Sequence, residues 1–400
     1  MRFILFLLAI ASLHANVKTG LDVFLESPAS ETWKGKNLGL LTNQTGVDQH
    51  LRPILQRLQE SGFTVHTLFS PEHGIQGNLY AGEKVADGTN TALIIYSLHG
   101  KTRRPTPEML AGLDALIYDI QCVGVRAYTY ETSLFYLMEE AAKANLPVLV
   151  FDRPNPIGGL TIDGPMLDAS LRSFIGYINV PYCHGMTIGE LAQFFNREYK
   201  VGCNLTVIPM QGWQRSMTYE QTGLTWIPPS PNIPEADTPL YQSTTGALGE
   251  LSEFLNIGIG YTLPFKLVGA PWINGPELAE KLNAQKLPGV AFVPFHFRPF
   301  YGAYKGVECQ GVLIRIQDSK VYRPIAAQYL ILGMLKSLYP QEVASRLNKP
   351  SGLDLFHKAN GTVAIFDIVM QEKYPAWKLI EFQRAERETF SEKRKPYLLY

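Results

Sequence analysis

The chain has no net charge: 36 lysine and arginine residues balance 36 aspartate and glutamate residues. No whole-chain field draws it to nucleic acid or to an anionic membrane surface. Cysteine is scarce. There are four in 400 residues, Cys122, Cys183, Cys203 and Cys309, and no two form a C-x-x-C pair, which leaves zinc ribbons and thioredoxin-type redox motifs unsupported. No G-x-G-x-x-G follows the first apolar run, so the dinucleotide fingerprint is missing; "NIGIGYTLP" supplies Gly258 and Gly260 without a third glycine in place. A Gly-Lys-Ser/Thr phosphate loop, a G-x-S-x-G elbow and a His-x-x-x-His pattern are also absent. Neither a cofactor nor a metal is therefore expected, and an ordinary α/β hydrolase is disfavoured. Apolar runs are short. The first, 3–13, falls below the ~20 residues needed to span a bilayer. With Arg2 before it and small Ala11, Ser12 and Ala15 at its end, it reads as a signal peptide over 1–15, so the chain is expected to be exported and periplasmic. Export permits disulfides, and the sequence does not choose a pairing.

What is present is a regular alternation. "NLGLLTNQTG", "FTVHTLFSPEHG", "TALIIYSLHG", "DALIYDIQCVG" and "LPVLVFDRPNP" read as strands. Helical patterns stand between and after them, most clearly at 131–144 and 187–197. Strands alternating with helices indicate a parallel α/β sheet, and 46% hydrophobic residues suffice for a full core. The proline-rich "WIPPSPNIPEADTP" breaks this pattern, and a strand-rich then helical region follows it. The reading is a catalytic domain over 16–243 and an α+β domain over 244–400.

In a parallel sheet, ligands bind beyond the carboxyl ends of the strands. Each apolar run here ends in polar residues: Thr42-Asn43-Gln44, Ser70-Pro71-Glu72-His73, Ser97-Leu98-His99, Asp119-Ile120-Gln121 and Asp152-Arg153-Pro154-Asn155. Helix capping accounts for single members, and a shared site accounts for the set. Glu72, Glu83, Asp119, Glu131 and Asp152 bring carboxylate chemistry to that edge. Two carboxyls in different surroundings are the usual means of cleaving a glycosidic bond, one kept protonated and the other ionised. "T-I-G-E" at Thr187–Glu190 is a capping box, and Glu131 at a helix start suits the dipole.

The motifs "GLLTNQTGVD", "SPEHGIQG", "AGEKV", "YDIQCVGVRAYTY", "FDRPNPIGG", "HGMTIGELA", "GAPWI" and "KPYLLY" occur in an order and spacing that resemble the bacterial exo-β-N-acetylmuramidases. The resemblance runs from about Gly39 to the C-terminus. It implies a Rossmann-like domain without a nucleotide and a smaller domain beside the cleft. It also implies release of N-acetylmuramic acid from the non-reducing end of peptidoglycan fragments, with Glu72 as the central catalytic group. Cys122 stands where the family usually has Asp, and Ile259 where an arginine is common. A binding protein on the same scaffold, without turnover, is the alternative reading.

With that substrate, Glu72 is the expected acid or acid/base and Asp119 the second carboxylate; a loop-holding role for Glu72 and an ion-pair role for Asp119 with Arg126 are the bland alternatives. Arginine suits the lactyl carboxylate, and Arg126 is preferred over Arg153. Asn43, Asn155 and Asn232 are candidates for the acetamido and hydroxyl groups. Tyr128 is a candidate for stacking, as are Tyr130 and Tyr182. His73, Asp152 and His184 complete the expected binding set. Peptidoglycan-derived saccharides are the expected partners, with no nucleic acid and no evident protein partner.

Overall fold

The structure is a computed structural model that describes residues 17–90, 93–251, 254–347 and 352–400. The expected signal peptide at 1–15 lies outside the described residues. Among the described residues ten strands form two sheets. The larger has the order β3(Gly88–Asn90), β4(Leu93–Ser97), β2(Thr64–Ser70), β1(Asn37–Thr42), β5(Ala115–Asp119), β6(Val148–Phe151), β7(Leu205–Ile208). All its pairs are parallel except β3–β4. This is the expected Rossmann-like sheet. The five quoted runs became β1, β2, β4, β5 and β6.

The central strands β1, β5 and β6 are buried on both faces, which is why they read as near-continuous apolar runs. Leu38, Leu40, Ile117, Leu149 and Phe151 point to one side, where Leu21, Phe24, Ile54 and Leu58 meet them. Leu41, Leu116, Tyr118, Val148 and Val150 point to the other, against helices Thr129–Lys143 and Ile188–Glu198. Each such side chain taken from water contributes about 1.5–3 kcal/mol.

From β1 the chain winds outward through β2 to β4, then crosses back to build β5, β6 and β7 on the other side. The strand order therefore reverses between β1 and β5, and a crevice opens beyond their carboxyl ends. Asn43, Glu72 and Asp119 all follow strands at or next to this reversal.

The second sheet is smaller and antiparallel, β8(Leu267–Ala270), β10(Cys309–Ile316), β9(Val290–Phe297), packed with helices Gly275–Ala284 and Pro324–Leu338. The tail that reads as one helix is two, Ala376–Glu381 and Arg384–Lys393. Gln383 between them takes a left-handed backbone (φ 54°) and breaks the run. Ser243 lies within helix Thr238–Gly249, so the proline-rich segment makes the crossing and this helix follows it. The four cysteines are buried free thiols. Among the described residues no helix is long and apolar enough to cross a membrane.

One carboxylate ties the two halves. Asp163 accepts the Ile325 and Ala326 N–H groups (3.0 and 3.1 Å) at the start of helix Pro324–Leu338, and Arg323 donates to it at 2.9 Å. These donors are otherwise unsatisfied at a helix start. Asp163→Ala is expected to lower unfolding free energy by about 2–4 kcal/mol in urea melts, because it leaves buried N–H groups unpaired.

Candidate active site

Strand β2 delivers Glu72 and His73 to the crevice through a tight turn. His73, Gly74 and Gly77 all have positive φ (69°, 80° and 66°). A side chain at Gly77 would collide with Gln44, its Cβ falling 1.9 Å from Nε2, so the second glycine of "EHGIQG" is a packing requirement. Gln44 Nε2 in turn donates to the Pro228 carbonyl (2.7 Å), and the Tyr130 hydroxyl donates to that of Pro229 (2.7 Å). The proline-rich crossing is thus pinned over the sheet edge and forms a wall of the site.

Glu72 is only 8% exposed, and both carboxylate oxygens are held. Thr129 Oγ1, on the first residue of helix Thr129–Lys143, donates to Oε2 at 2.7 Å; the Gly82 N–H donates to Oε1 at 2.9 Å. His99 Nε2 stands 3.6 Å from Oε1. Burial pushes the Glu72 pKa up. The bonds from Thr129 and Gly82, with the nearby His99 and His73, outweigh it and hold the carboxyl below its usual value. The surroundings therefore favour the ionised form of Glu72.

His73 donates from Nδ1 to the Leu79 carbonyl (2.7 Å), which fixes the orientation of the ring. His99 is buried and its Nδ1 finds no partner among the described residues. Burial lowers its pKa, against the pull of Glu72. Tyr128 and Tyr130 stack edge to face at 4.8 Å, and Tyr130 lies 6.3 Å from the His73 ring. Asn43 Oδ1 accepts from Thr45, while its buried Nδ2 has no partner among the described residues, an open donor beside this cluster.

A second carboxyl comes from an unexpected place. Glu250, just past helix Thr238–Gly249, feels the Glu72 charge. Burial first, and Glu72 second, push its pKa up. Two carboxyls are thus biased in opposite directions, the pattern that separates a base from an acid.

The other expected residues are engaged elsewhere. Asp119 is fully buried and binds Arg153 through both oxygens, to Nε and to Nη2 (2.8 Å). It is a structural ion pair rather than a second catalytic carboxylate, and its partner is Arg153, not Arg126. Arg153 also donates to the Val47 carbonyl. Arg126 sits in the interior, donating to the carbonyls of Pro165, Val180 and Ala359 (2.7, 2.6 and 3.0 Å); its Nε–H has no partner among the described residues, but the side chain is buried and presents no exposed fork. Asp152 accepts from Thr187, Gly189 and Tyr400 (2.7, 2.8 and 2.7 Å), clasping a helix start and the C-terminus; burial pushes its pKa up to about 6 despite these bonds. Asn155 bridges the Ile157 N–H and the Met186 carbonyl. His184 accepts the Met186 N–H at Nδ1, so its Nε2–H donates to Glu131 (3.0 Å), and the pair is buried beneath the crevice floor. Thr187 and Glu190 form the capping box as read. Tyr182 is core. Asn232 is half-buried and meets the Tyr301 hydroxyl across the crevice at 3.4 Å.

Sequence reasoning missed Thr129, the Gly82 N–H and Glu250. Thr129 lies inside the quoted "YDIQCVGVRAYTY", but only the fold brings it to Glu72. A hollow of about 620 Å³ elsewhere is lined by Met166, Phe194, Glu198 and Lys393, and its last two charges pair with each other (2.7 Å). Among the described residues no group of three or more His, Cys, Asp and Glu side chains is placed to hold a metal ion.

Comparison with known proteins places the chain among related sequences and structures. The family profile "Exo-beta-N-acetylmuramidase NamZ, N-terminal" matches residues 38–237, and its C-terminal counterpart matches 240–400. The peptidoglycan beta-N-acetylmuramidase NamZ of Bacillus subtilis (strain 168) is 40% identical over 332 residues, covering 82% of this chain and 79% of that protein. Two crystal structures of DUF1343 family proteins from Bacteroides fragilis NCTC 9343 superpose with TM-scores of 0.88 and 0.77, at 38% and 29% identity. Each comparison covers 96% of this chain and 99% of the other.

Thr129→Val removes a donor that only the ionised Glu72 uses fully. The Glu72 pKa then rises, so the acidic limb of kcat/KM is expected to move to higher pH, read from a pH–rate profile on a muramic-acid glycoside.

Proposed function

We propose, from the premise that this chain belongs to the exo-beta-N-acetylmuramidase NamZ family, that it is a glycoside hydrolase releasing N-acetylmuramic acid from the non-reducing end of peptidoglycan fragments. The observation that carries the reading is the clamped Glu72 carboxylate at the strand-order reversal; Glu250, whose pKa the Glu72 charge helps to raise, is assigned as the second carboxyl. Cleavage at the anomeric carbon builds positive charge on the sugar, and an ionised Glu72 stabilises that charge. It does so as nucleophile, as base for water, or by polarising the substrate's own acetamide. Glu250, whose pKa is pushed up by burial and then by the Glu72 charge, is the group assigned to supply the proton that the departing sugar oxygen needs. Export is part of the proposal, supported by the leader-like 1–15 stretch.

The non-catalytic alternative gains no support from the two departures. Cys122 is buried, its sulfur 3.6 Å from the Tyr118 hydroxyl, and it takes no part in the bonds that hold Glu72. The Ile259 carbonyl accepts from Asn256, and its side chain packs against the core around the second sheet.

Glu72→Gln keeps the shape of the side chain but loses its charge. Release of the sugar is expected to fall by at least ~10³-fold with the melting curve little changed, on the scale of losing a principal catalytic group. Unaltered turnover removes Glu72 from the chemistry. Glu250→Gln is expected to slow disaccharide cleavage on the order of 100-fold and to spare a nitrophenyl glycoside, whose leaving group needs no proton. The basic limb of the pH profile is expected to vanish as well, because a raised-pKa acid is lost as pH climbs.

A further inference from the structure

The proposed substrate carries a carboxylate on its lactyl arm, and the arginines first considered for it are spent. Arg126 holds three backbone carbonyls, and Arg153 holds Asp119. Arg103 is different. It sits on the exposed loop after β4, and its guanidinium carbon lies 4.2 Å from the centre of the buried Phe174 ring. That ring stands 5.7 Å from His99, whose Nε2 is 3.6 Å from Glu72. The Arg103 charge is felt at His99. The contrast with its neighbour is informative. Arg104 donates to Glu139, Glu140 and Tyr177. Among the described residues no carboxylate or carbonyl takes the N–H groups of Arg103.

A guanidinium laid on an aromatic face keeps its plane fixed and its edge free. That edge offers two parallel N–H donors, matched to the two oxygens of a carboxylate. We propose that Arg103 binds the lactyl carboxylate of N-acetylmuramic acid at the rim of the Glu72 site, and so selects this sugar over N-acetylglucosamine, which lacks that arm. Phe174 is the platform that holds the fork in place. The placement of the sugar rests on the hydrolase reading given above.

The test is calorimetric titration of the wild type, Arg103→Met and Arg103→Lys with free N-acetylmuramic acid and free N-acetylglucosamine. The wild type is expected to prefer the former. Arg103→Met is expected to weaken N-acetylmuramic acid binding on the order of 10- to 100-fold, the scale of a charged hydrogen-bonded pair. N-acetylglucosamine binding is expected to stay within about twofold, since none of its groups uses the fork. Arg103→Lys keeps charge without the fork and falls between. A wild type with no preference, or an Arg103→Met protein that keeps it, overturns the proposal. Wild-type turnover of an aryl β-N-acetylmuraminide is measured separately. It judges the hydrolase reading alone, because the binding comparison does not depend on turnover.

Discussion

The site depends on a carboxylate kept charged where burial alone would neutralise it. Glu72 is nearly out of reach of water, and its charge is sustained by one hydroxyl, one backbone N–H and the imidazoles beside it. Each of these partners comes from a different part of the fold. Thr129 arrives on the helix after β5, Gly82 on the loop after the Glu72 turn, and His99 at the end of β4. The sheet order brings those segments to one edge. A change that shifts any of them alters the charge on Glu72 before it alters its position.

Beneath this layer lies a second one that performs no chemistry but fixes the first. Residues 129, 130 and 131 run in sequence from the site into the interior: Thr129 to Glu72, Tyr130 to the proline-rich wall, Glu131 to His184. Asp119–Arg153 and Asp152 lock the ends of β5 and β6 in the same way. Buried charges are costly unless they are paired and hydrogen-bonded, and here Glu131 meets His184, Asp119 meets Arg153, and Asp152 accepts from Thr187, Gly189 and Tyr400. The polar residues that gather along the sheet edge therefore divide into those that face the substrate and those that hold the edge rigid.

Much of the fold was legible because the central strands are buried on both faces and so stand out as apolar runs such as "NLGLLT" and "LPVLVF". β7 escaped notice because it is a short, half-buried edge strand with little contrast to its surroundings. For the site, Glu72 was legible from its place after β2 and from the family motif, and the capping box at Thr187 from spacing alone. The division of labour was not. Asp119 and Arg126 look like site residues in one dimension, and only the packing shows that their partners are Arg153 and three backbone carbonyls. Glu250 carries no motif, and it stands at the end of a helix that follows the proline-rich crossing. Residue type and strand order locate an edge, whereas the choice of hydrogen-bond partner is a property of the folded chain.

The central claim is that the free enzyme holds Glu72 ionised. The most direct measurement is an NMR titration of carbon-13-labelled glutamate carboxyls, with the Glu72 signal assigned by its loss in the Glu72→Gln protein. The account requires that signal to titrate below an ordinary glutamate. A Glu72 resonance that loses its proton only well above the ordinary glutamate range contradicts it.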